Sequence, residues 1–150
     1  MFRLMVAGDA ACGRILQTAD GEAITLWRAP GRAGASRTEF ATSLFPFIRA
    51  LGSGIGRGLK ISSLIEKHHP KMPFHYLHFA GCVPEHQGKG FGGAAIRAGL
   101  LQADADHLPA YLETATERNI GLYRSLGFEV TAQWDVTRDL PFWGMLRPAR

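Results

Sequence analysis

The sequence contains little cysteine and no long apolar run. Its two cysteines, Cys12 and Cys82, lie far apart and match neither a disulfide framework nor a zinc-site spacing. No apolar run approaches the roughly 20 residues that a membrane-spanning helix requires, and residues 1–3 do not begin a signal peptide. We therefore expect a cytoplasmic protein with no metal site and no membrane partner.

Blocks of like charge are also missing. The net charge of +4 is spread along the chain, without the Lys/Arg clusters and interleaved aromatic residues of nucleic-acid binders. This charge suits a small anionic ligand better than a nucleic acid. The length of 150 residues predicts a single domain, 1–150, because a chain of this size buries about 70% of its unfolded surface and needs no metal or disulfide to fold.

The apolar pattern predicts an α/β domain with a mixed central sheet flanked by helices. Asp20 and Gly21 favour a tight hairpin turn between strands at 14–18 and 22–28, after a helical segment at 1–11. Further helices are predicted at 59–68, 90–105 and 117–126, and further strands at 74–82, 110–114, 128–136 and 142–146. Ser36 is expected to cap another helix, which carries Phe40, Leu44, Phe47, Ile48 and Leu51.

A glycine-rich turn at 83–95, VPEHQGKGFGGAA, joins a predicted strand to a predicted helix. Glycines allow positive φ, so backbone N–H groups can converge on an anion. The first turn of a helix adds N–H groups without intrahelical partners and the positive end of the helix dipole. The turn therefore predicts a phosphate-binding site.

Two phosphate ligands fit this turn. Gly88, Gly90 and Gly93 match the spacing of a dinucleotide fingerprint, and Glu113 stands where a ribose-binding carboxylate would follow. However, four residues, 84–87, separate the strand from the first glycine, and no further βαβ units follow residue 114. These two features disfavour a nicotinamide or flavin site.

The segment from Gln87 to Gly92, QGKGFG, resembles the Q/R-x-x-G-x-G/A signature of the GNAT superfamily of N-acetyltransferases. The preceding VPEHQ resembles the lead-in of that family, and Asn119, Tyr123 and the pair Gly127-Phe128 resemble its second half. The resemblance covers about 70–147 well and the hairpin more loosely. It implies a GNAT-like acyl-CoA N-acyltransferase fold and acetyl-CoA as the co-substrate.

The resemblance also implies the residues that hold acetyl-CoA. The pyrophosphate would bind the backbone of the loop and helix start, with Lys89 adding positive charge, and the pantetheine arm would pair with the end of the preceding strand. Pro84 is expected to mark the point where the sheet splays. The implied binding residues are Ala80, Gly81, Cys82, Gln87, Gly88, Lys89, Gly90, Phe91, Gly92, Gly93 and Asn119.

Acetyl transfer to an amine needs a proton for the departing thiolate and a neutral amine nucleophile. By resemblance, Tyr123 protonates the sulfur of CoA; alternatively, it is a half-buried core tyrosine. His78 and Glu113 are candidates for the general base, each equally open to a structural role, and some family members use only water. The adjacent His68 and His69 make a poor chelate and are interpreted as solvated surface or loop residues.

The chain begins only about twelve residues before the hairpin, whereas family members usually begin with a strand and one or two helices. The first strand would then expose an unpaired sheet edge, which a homodimer would cover. Impaired catalysis is the alternative consequence. The sequence thus predicts an N-acetyltransferase acting on a primary amine of a small molecule or protein by direct attack, and as its alternative a CoA-binding sensor or scaffold without turnover.

Overall fold

The computed structural model describes residues 2–34 and 54–150. The predicted helix beginning at Ser36 lies outside the described residues. In chain order, the helices and strands of the described residues are α1 (Phe2–Cys12), β1 (Gly13–Gln17), β2 (Ala23–Arg28), α2 (Ile55–His68), β3 (His75–Cys82), α3 (Phe91–Ala105), β4 (Ala110–Thr114), α4 (Ile120–Ser125), β5 (Glu129–Thr137) and β6 (Leu140–Arg147).

The strands form one mixed sheet in the order β1-β2-β3-β4-β6-β5. Only β3 and β4 pair in parallel among the described strands, and the other neighbours are antiparallel. The predicted hairpin is confirmed: Gln17 faces Ile24 across the turn, and Gly21 has a φ of +77° there. The α/β class and the mixed sheet flanked by helices are also confirmed.

The larger hydrophobic cluster lies between the sheet and helices α3 and α4. Thr25 donates a hydrogen bond to the carbonyl of Ala95 in α3, so this face of β2 lies against that helix. Tyr123 of α4 belongs to the same cluster. The buried members of the cluster are Trp27, Leu77, Ile96, Leu100, Ala103, Ala110, Leu112, Ile120, Tyr123, Leu126, Phe128 and Met145.

A smaller cluster of Phe74, Tyr76 and Tyr111 is separate from the larger one. Tyr76 and Leu77 are consecutive on β3, and successive side chains of a strand point to opposite faces, so the two clusters occupy opposite faces of the sheet. The Tyr111 hydroxyl donates to the carbonyl of His68 at the end of α2, which joins that helix to this second face. The helix α1 packs against β1 and β2 at the sheet edge.

The parallel strands β3 and β4 separate soon after they meet. Their pairing consists of His75 with Ala110 and Tyr76 with Tyr111, although β3 continues to Cys82. The prediction that the sheet splays at Pro84 is therefore wrong in position, because Pro84 lies beyond the strand in a 3₁₀ turn. A β-bulge in the pairing of β2 with β3 leaves His78 outside the register, and such a bulge bends the strand.

The end of the chain differs from the sequence prediction in one element. Instead of one helix over 117–126, a 3₁₀ turn at Glu117–Asn119 leads into α4. The two closing strands are confirmed as the β5 and β6 hairpin. In the part of the chain that the structure describes, no helix is both long and apolar enough to span a membrane.

Candidate active site

The glycine-rich loop lies between the end of β3 and the start of α3. Gly88 and Gly90 have φ values of +76° and +91°, and a Cβ placed on Gly88, Gly90 or Gly92 would meet no atom within 4 Å. Gly90 precedes α3 without a side-chain cap, so the N–H groups of the first turn have no intrahelical partners. The loop therefore presents unpaired backbone N–H groups to open space at the positive end of a 15-residue helix, an arrangement that favours an anion.

Two contacts outside the glycines fix the ends of this loop. The side-chain amide of Gln87 donates a hydrogen bond of 3.3 Å to the carbonyl of Cys82, which joins the loop to the end of β3. The ring of His86 lies edge-on to Phe91, with 5.5 Å between ring centroids. The sequence did not single out His86, because its partner is identified only once the loop is folded.

The end of β3 has an open edge. Ala80 and Gly81 are exposed, and Cys82 is half-buried. The N–H of Val83 donates to Glu22 beside β2, and alternate residues of an antiparallel pair face the partner, so the backbone groups of Ala80 and Cys82 point to the other edge. That edge borders the opening between β3 and β4.

Tyr123 is buried in α4 at 8% exposure, and its ring packs edge-on against Phe128. Among the described residues, none forms a hydrogen bond with its hydroxyl. Burial raises the pKa of Tyr123, so the hydroxyl keeps its proton at neutral pH. A Cβ on Gly93 would lie 3.6 Å from a methyl group of Leu122, which places α4 beside the first turn of α3.

Asn119 is the residue that precedes α4. Its φ of −82° and ψ of −16° are helical values, so it lies one turn before Tyr123 although it belongs to the 3₁₀ turn. Asn119 is half-buried and makes no side-chain capping bond. The helix that carries Tyr123 and follows Asn119 thus lies beside the start of α3, on the face of the sheet that holds the larger hydrophobic cluster.

His78 lies on the opposite face, at the β-bulge of β3. Its Nδ1 is 2.8 Å from Oδ1 and 2.9 Å from Oδ2 of Asp9 in α1. Asp9 is fully buried and also accepts a 2.6 Å bond from Nε of Arg28. Burial alone would raise the pKa of Asp9, but the hydrogen bonds and charges of His78 and Arg28 outweigh it and hold that pKa below 3.8. Sequence analysis missed Asp9, since nothing in the apolar helix predicts its partners.

Glu113 is buried at the end of β4 among aromatic rings. The Tyr76 hydroxyl donates to Oε2 at 2.7 Å, and His69 Nε2 lies 3.0 Å from Oε1, within ion-pair distance but outside hydrogen-bond geometry. Burial raises the pKa of Tyr76, and the Glu113 charge raises it further. Burial also raises the pKa of Tyr111.

His68 and His69 were expected to be solvated surface or loop residues. His69 does lie just outside the helix, but neither histidine is a freely solvated surface residue. The His69 side chain is 12% exposed and contacts the rings of Phe74, Tyr76 and Tyr111 edge-on, while His68 stacks on Trp134 at 4.0 Å between centroids. The physical reason is that α2 ends directly over the second face of the sheet, so both imidazoles pack against it. Within the described ranges, no group of side chains could hold a metal ion.

A glycine loop at the start of α3, beside a mixed sheet whose parallel strands β3 and β4 part, is the arrangement of the GNAT fold. The sequence from residue 53 to residue 128 matches the Acetyltransferase (GNAT) family. The chain belongs to this family.

Solved structures similar in fold include histone acetyltransferase HPA2 and related acetyltransferase from Corynebacterium glutamicum, with a TM-score of 0.66, 23% identity and coverage of 99% of this chain and 72% of that one. A polyamine N-acetyltransferase from Drosophila melanogaster aligns with a TM-score of 0.61 and 14% identity over 86% of this chain and 71% of its own. Arylalkylamine N-acetyltransferase 2 from Aedes aegypti aligns with a TM-score of 0.54 and 13% identity over 91% of this chain and 72% of its own.

Proposed function

We propose that this chain, acting as one domain over 1–150, transfers an acetyl group from acetyl-CoA to a primary amine of a small molecule or protein. The observation that carries this proposal is the position of the glycine loop. It combines positive φ at Gly88 and Gly90 with an uncapped helix start, directly beside the opening between β3 and β4.

The loop would hold the pyrophosphate of acetyl-CoA on backbone N–H groups. The open space over Gly88, Gly90 and Gly92 supports this role, as does the exposed Lys89, whose charge would add long-range attraction. Gln87 would act indirectly, because its amide already bonds Cys82. The residues proposed for the loop and helix start are Gln87, Gly88, Lys89, Gly90, Phe91, Gly92 and Gly93, and Asn119, which precedes α4, is proposed as a further contact to acetyl-CoA.

The pantetheine arm would lie along the open edge of β3. Ala80 and Cys82 direct backbone groups toward the opening, and Gly81 between them is exposed. An extended arm with amide groups can pair with such an edge as an added strand does. This placement would bring the thioester into the opening between β3 and β4.

The chemical step would use groups from both faces of the sheet. The amine nitrogen attacks the thioester carbonyl carbon, the carbon–sulfur bond breaks, and the departing thiolate takes the proton of Tyr123. Burial supports this assignment only in that it keeps the Tyr123 hydroxyl protonated at neutral pH, so that a proton is available for the thiolate. The amine must lose a proton, and His78 is the proposed acceptor, since its Nε2 has no polar partner among the described residues.

Glu113 is the other candidate for the base. One of its oxygens already accepts the Tyr76 hydroxyl, and its side chain is only 5% exposed. These contacts favour a structural role, in which Glu113 fixes Tyr76 beside His78, with 5.3 Å between the two ring centroids. The base is therefore assigned to His78 in this proposal.

Two measurements test the proposal against its alternative, a CoA-binding sensor or scaffold without turnover. Isothermal calorimetry with acetyl-CoA measures binding, and thiol release during incubation with amines measures transfer. We expect binding together with amine-dependent thiol release. Binding without release from any amine favours the sensor, and absence of binding rejects the placement of acetyl-CoA itself.

A further inference from the structure

The His78 imidazole is hydrogen-bonded at one of its two nitrogens in the part of the chain that the structure describes. Its Nδ1 lies within 2.9 Å of both oxygens of Asp9, whereas Nε2 has no polar partner among the described residues. The side chain of His78 is 21% exposed, while that of Asp9 is completely buried. The buried carboxylate of Asp9 therefore holds the ring through Nδ1, and no described residue hydrogen-bonds to Nε2 at the opposite edge of the ring.

We propose that Asp9 is a positioning residue that keeps the proton of neutral His78 on Nδ1, so that Nε2 is the nitrogen presented to the acceptor amine. The part of this proposal that concerns acetyl transfer rests on the proposed function. The part that concerns the tautomer does not depend on it.

The tautomer follows from the charges around Asp9. An ionised carboxylate can only accept hydrogen bonds, and arginine can only donate them. Arg28 donates its Nε hydrogen to Oδ1 and its Nη1 to the carbonyl of Gly34, so this guanidinium anchors the carboxylate from the sheet side. Nδ1 of His78 must then be a donor as well, since two acceptors could not face each other at 2.8 Å. In a neutral imidazole, a proton on Nδ1 leaves a lone pair on Nε2.

The backbone supports the same orientation. His78 occupies the bulge between the pairs Leu26–Phe79 and Trp27–Leu77, and bulges commonly redirect a side chain next to a functional site. It also comes two residues after Tyr76, the last residue of β3 that pairs with β4. The ring therefore stands where the two strands separate, with Tyr76 and Phe79 as its aromatic neighbours.

A purely structural account of Asp9 makes different predictions. If Asp9 serves only to pair with Arg28 and hold α1 in place, its removal destabilises the fold. The tautomer of His78 and the kcat of the remaining folded protein then stay unchanged. The chain contains a matched comparison: His75 Nε2 lies 2.7 Å from Oδ2 of Asp106, on the other side of the protein from this ring. Asp106→Asn therefore removes an acid–histidine pair that has no role in the proposal.

Long-range ¹H–¹⁵N NMR of the imidazoles in the complete chain, recorded over a pH series, measures the tautomer of neutral His78 directly. We expect His78 to carry its proton on Nδ1 both in the wild type and in the Asp106→Asn variant. Asp9→Asn should shift the proton toward Nε2, and Asp9→Glu, which keeps a carboxylate, should restore Nδ1–H. A wild-type His78 protonated on Nε2 overturns the proposal without any variant, even if a variant fails to fold.

Steady-state kinetics then test the consequence. A general base contributes at least about 100-fold to the rate, so Asp9→Asn, which misorients the base without removing it, should lower kcat by about 10- to 100-fold and leave the Kd of acetyl-CoA unchanged. Asp106→Asn should retain the wild-type kcat. Full activity in Asp9→Asn overturns the positioning role. If wild type acetylates no amine, the proposed function fails, and the NMR result still decides the tautomer.

Discussion

Gly88 in the glycine loop and Gly21 in the β1–β2 turn have nearly the same positive φ, +76° and +77°. A Cβ on either residue would meet no atom within 4 Å, so alanine would strain the backbone at both without a steric clash. The two positions differ in what lies next to them. Gly88 borders the proposed pyrophosphate site, and Gly21 lies in a hairpin turn.

This pair provides a controlled test of the loop. Gly88→Ala and Gly21→Ala should each lower the free energy of unfolding by about 1–2 kcal/mol, the cost of a left-handed conformation for alanine. Only Gly88→Ala should also weaken acetyl-CoA binding, by about tenfold, since misplaced N–H donors lose roughly 1.4 kcal/mol. Urea unfolding and calorimetry measure the two effects. Equal affinities in both variants would argue against a phosphate site at this loop.

Removal of the Tyr123 hydroxyl should affect turnover alone. Tyr123→Phe loses no hydrogen bond to a described residue, so the free energy of unfolding and the Kd of acetyl-CoA should stay close to wild type. The kcat should fall by about 100-fold, the usual contribution of a general acid. Tyr111→Phe is the control: it loses the bond to the His68 carbonyl and about 1 kcal/mol of stability, but keeps its kcat. A wild-type kcat for Tyr123→Phe would reject the acid role.

Substitutions of the two candidate bases, His78 and Glu113, should differ in their effects on kcat and on the free energy of unfolding. His78→Gln should lower kcat by about 100-fold with a small loss of stability. Glu113→Gln disturbs the buried bond with Tyr76, so it should cost about 1–3 kcal/mol of stability and reduce kcat much less. Steady-state kinetics and urea unfolding of both variants give the comparison. The reverse order of kcat losses would assign the base to Glu113.

Asp9 should make the fold sensitive to acid. Its pKa is lower in the folded chain than the ordinary value of 3.8, so the folded state binds its proton less readily than the unfolded state. The resulting stabilisation is complete when the pH is above the ordinary pKa of the unfolded chain. It is lost as the pH falls through the lower pKa that Asp9 has in the folded chain. Wild type should therefore lose more free energy of unfolding than Asp9→Asn on acidification below about pH 4. Parallel urea titrations at neutral and acid pH check this, and identical losses would contradict it.

Much of the fold follows from local patterns in the sequence. The Asp20-Gly21 turn, the strand before the glycine loop and the helix after it are all local signals, and the structure confirms them as β1–β2, β3 and α3. The glycine loop could be recognised because its function depends on backbone conformation, which glycine spacing reveals.

The other half of the site depends on contacts between residues distant in the chain. Asp9 and His78 are 69 positions apart, and the strand bulge that turns His78 exists only once β2 and β3 pair. The contacts of His69 could not be predicted for the same reason, because its aromatic neighbours Tyr76 and Tyr111 lie on strands that α2 meets only in the folded chain. The separation of β3 from β4 was likewise predicted too far along the chain, at Pro84, although the pairing already ends at Tyr76. Strand separation depends on how β3 pairs with β2 and β4 with β6, which local sequence does not reveal.

The most direct test of the central claim is release of free CoA thiol from acetyl-CoA by the wild-type chain across a panel of primary amines, with His78→Gln and Tyr123→Phe measured in parallel. The account predicts thiol release that requires both the protein and an amine, an N-acetylated amine as the product, and a rate lowered in both variants. Tight acetyl-CoA binding with no release above the protein-free rate from any amine would contradict it.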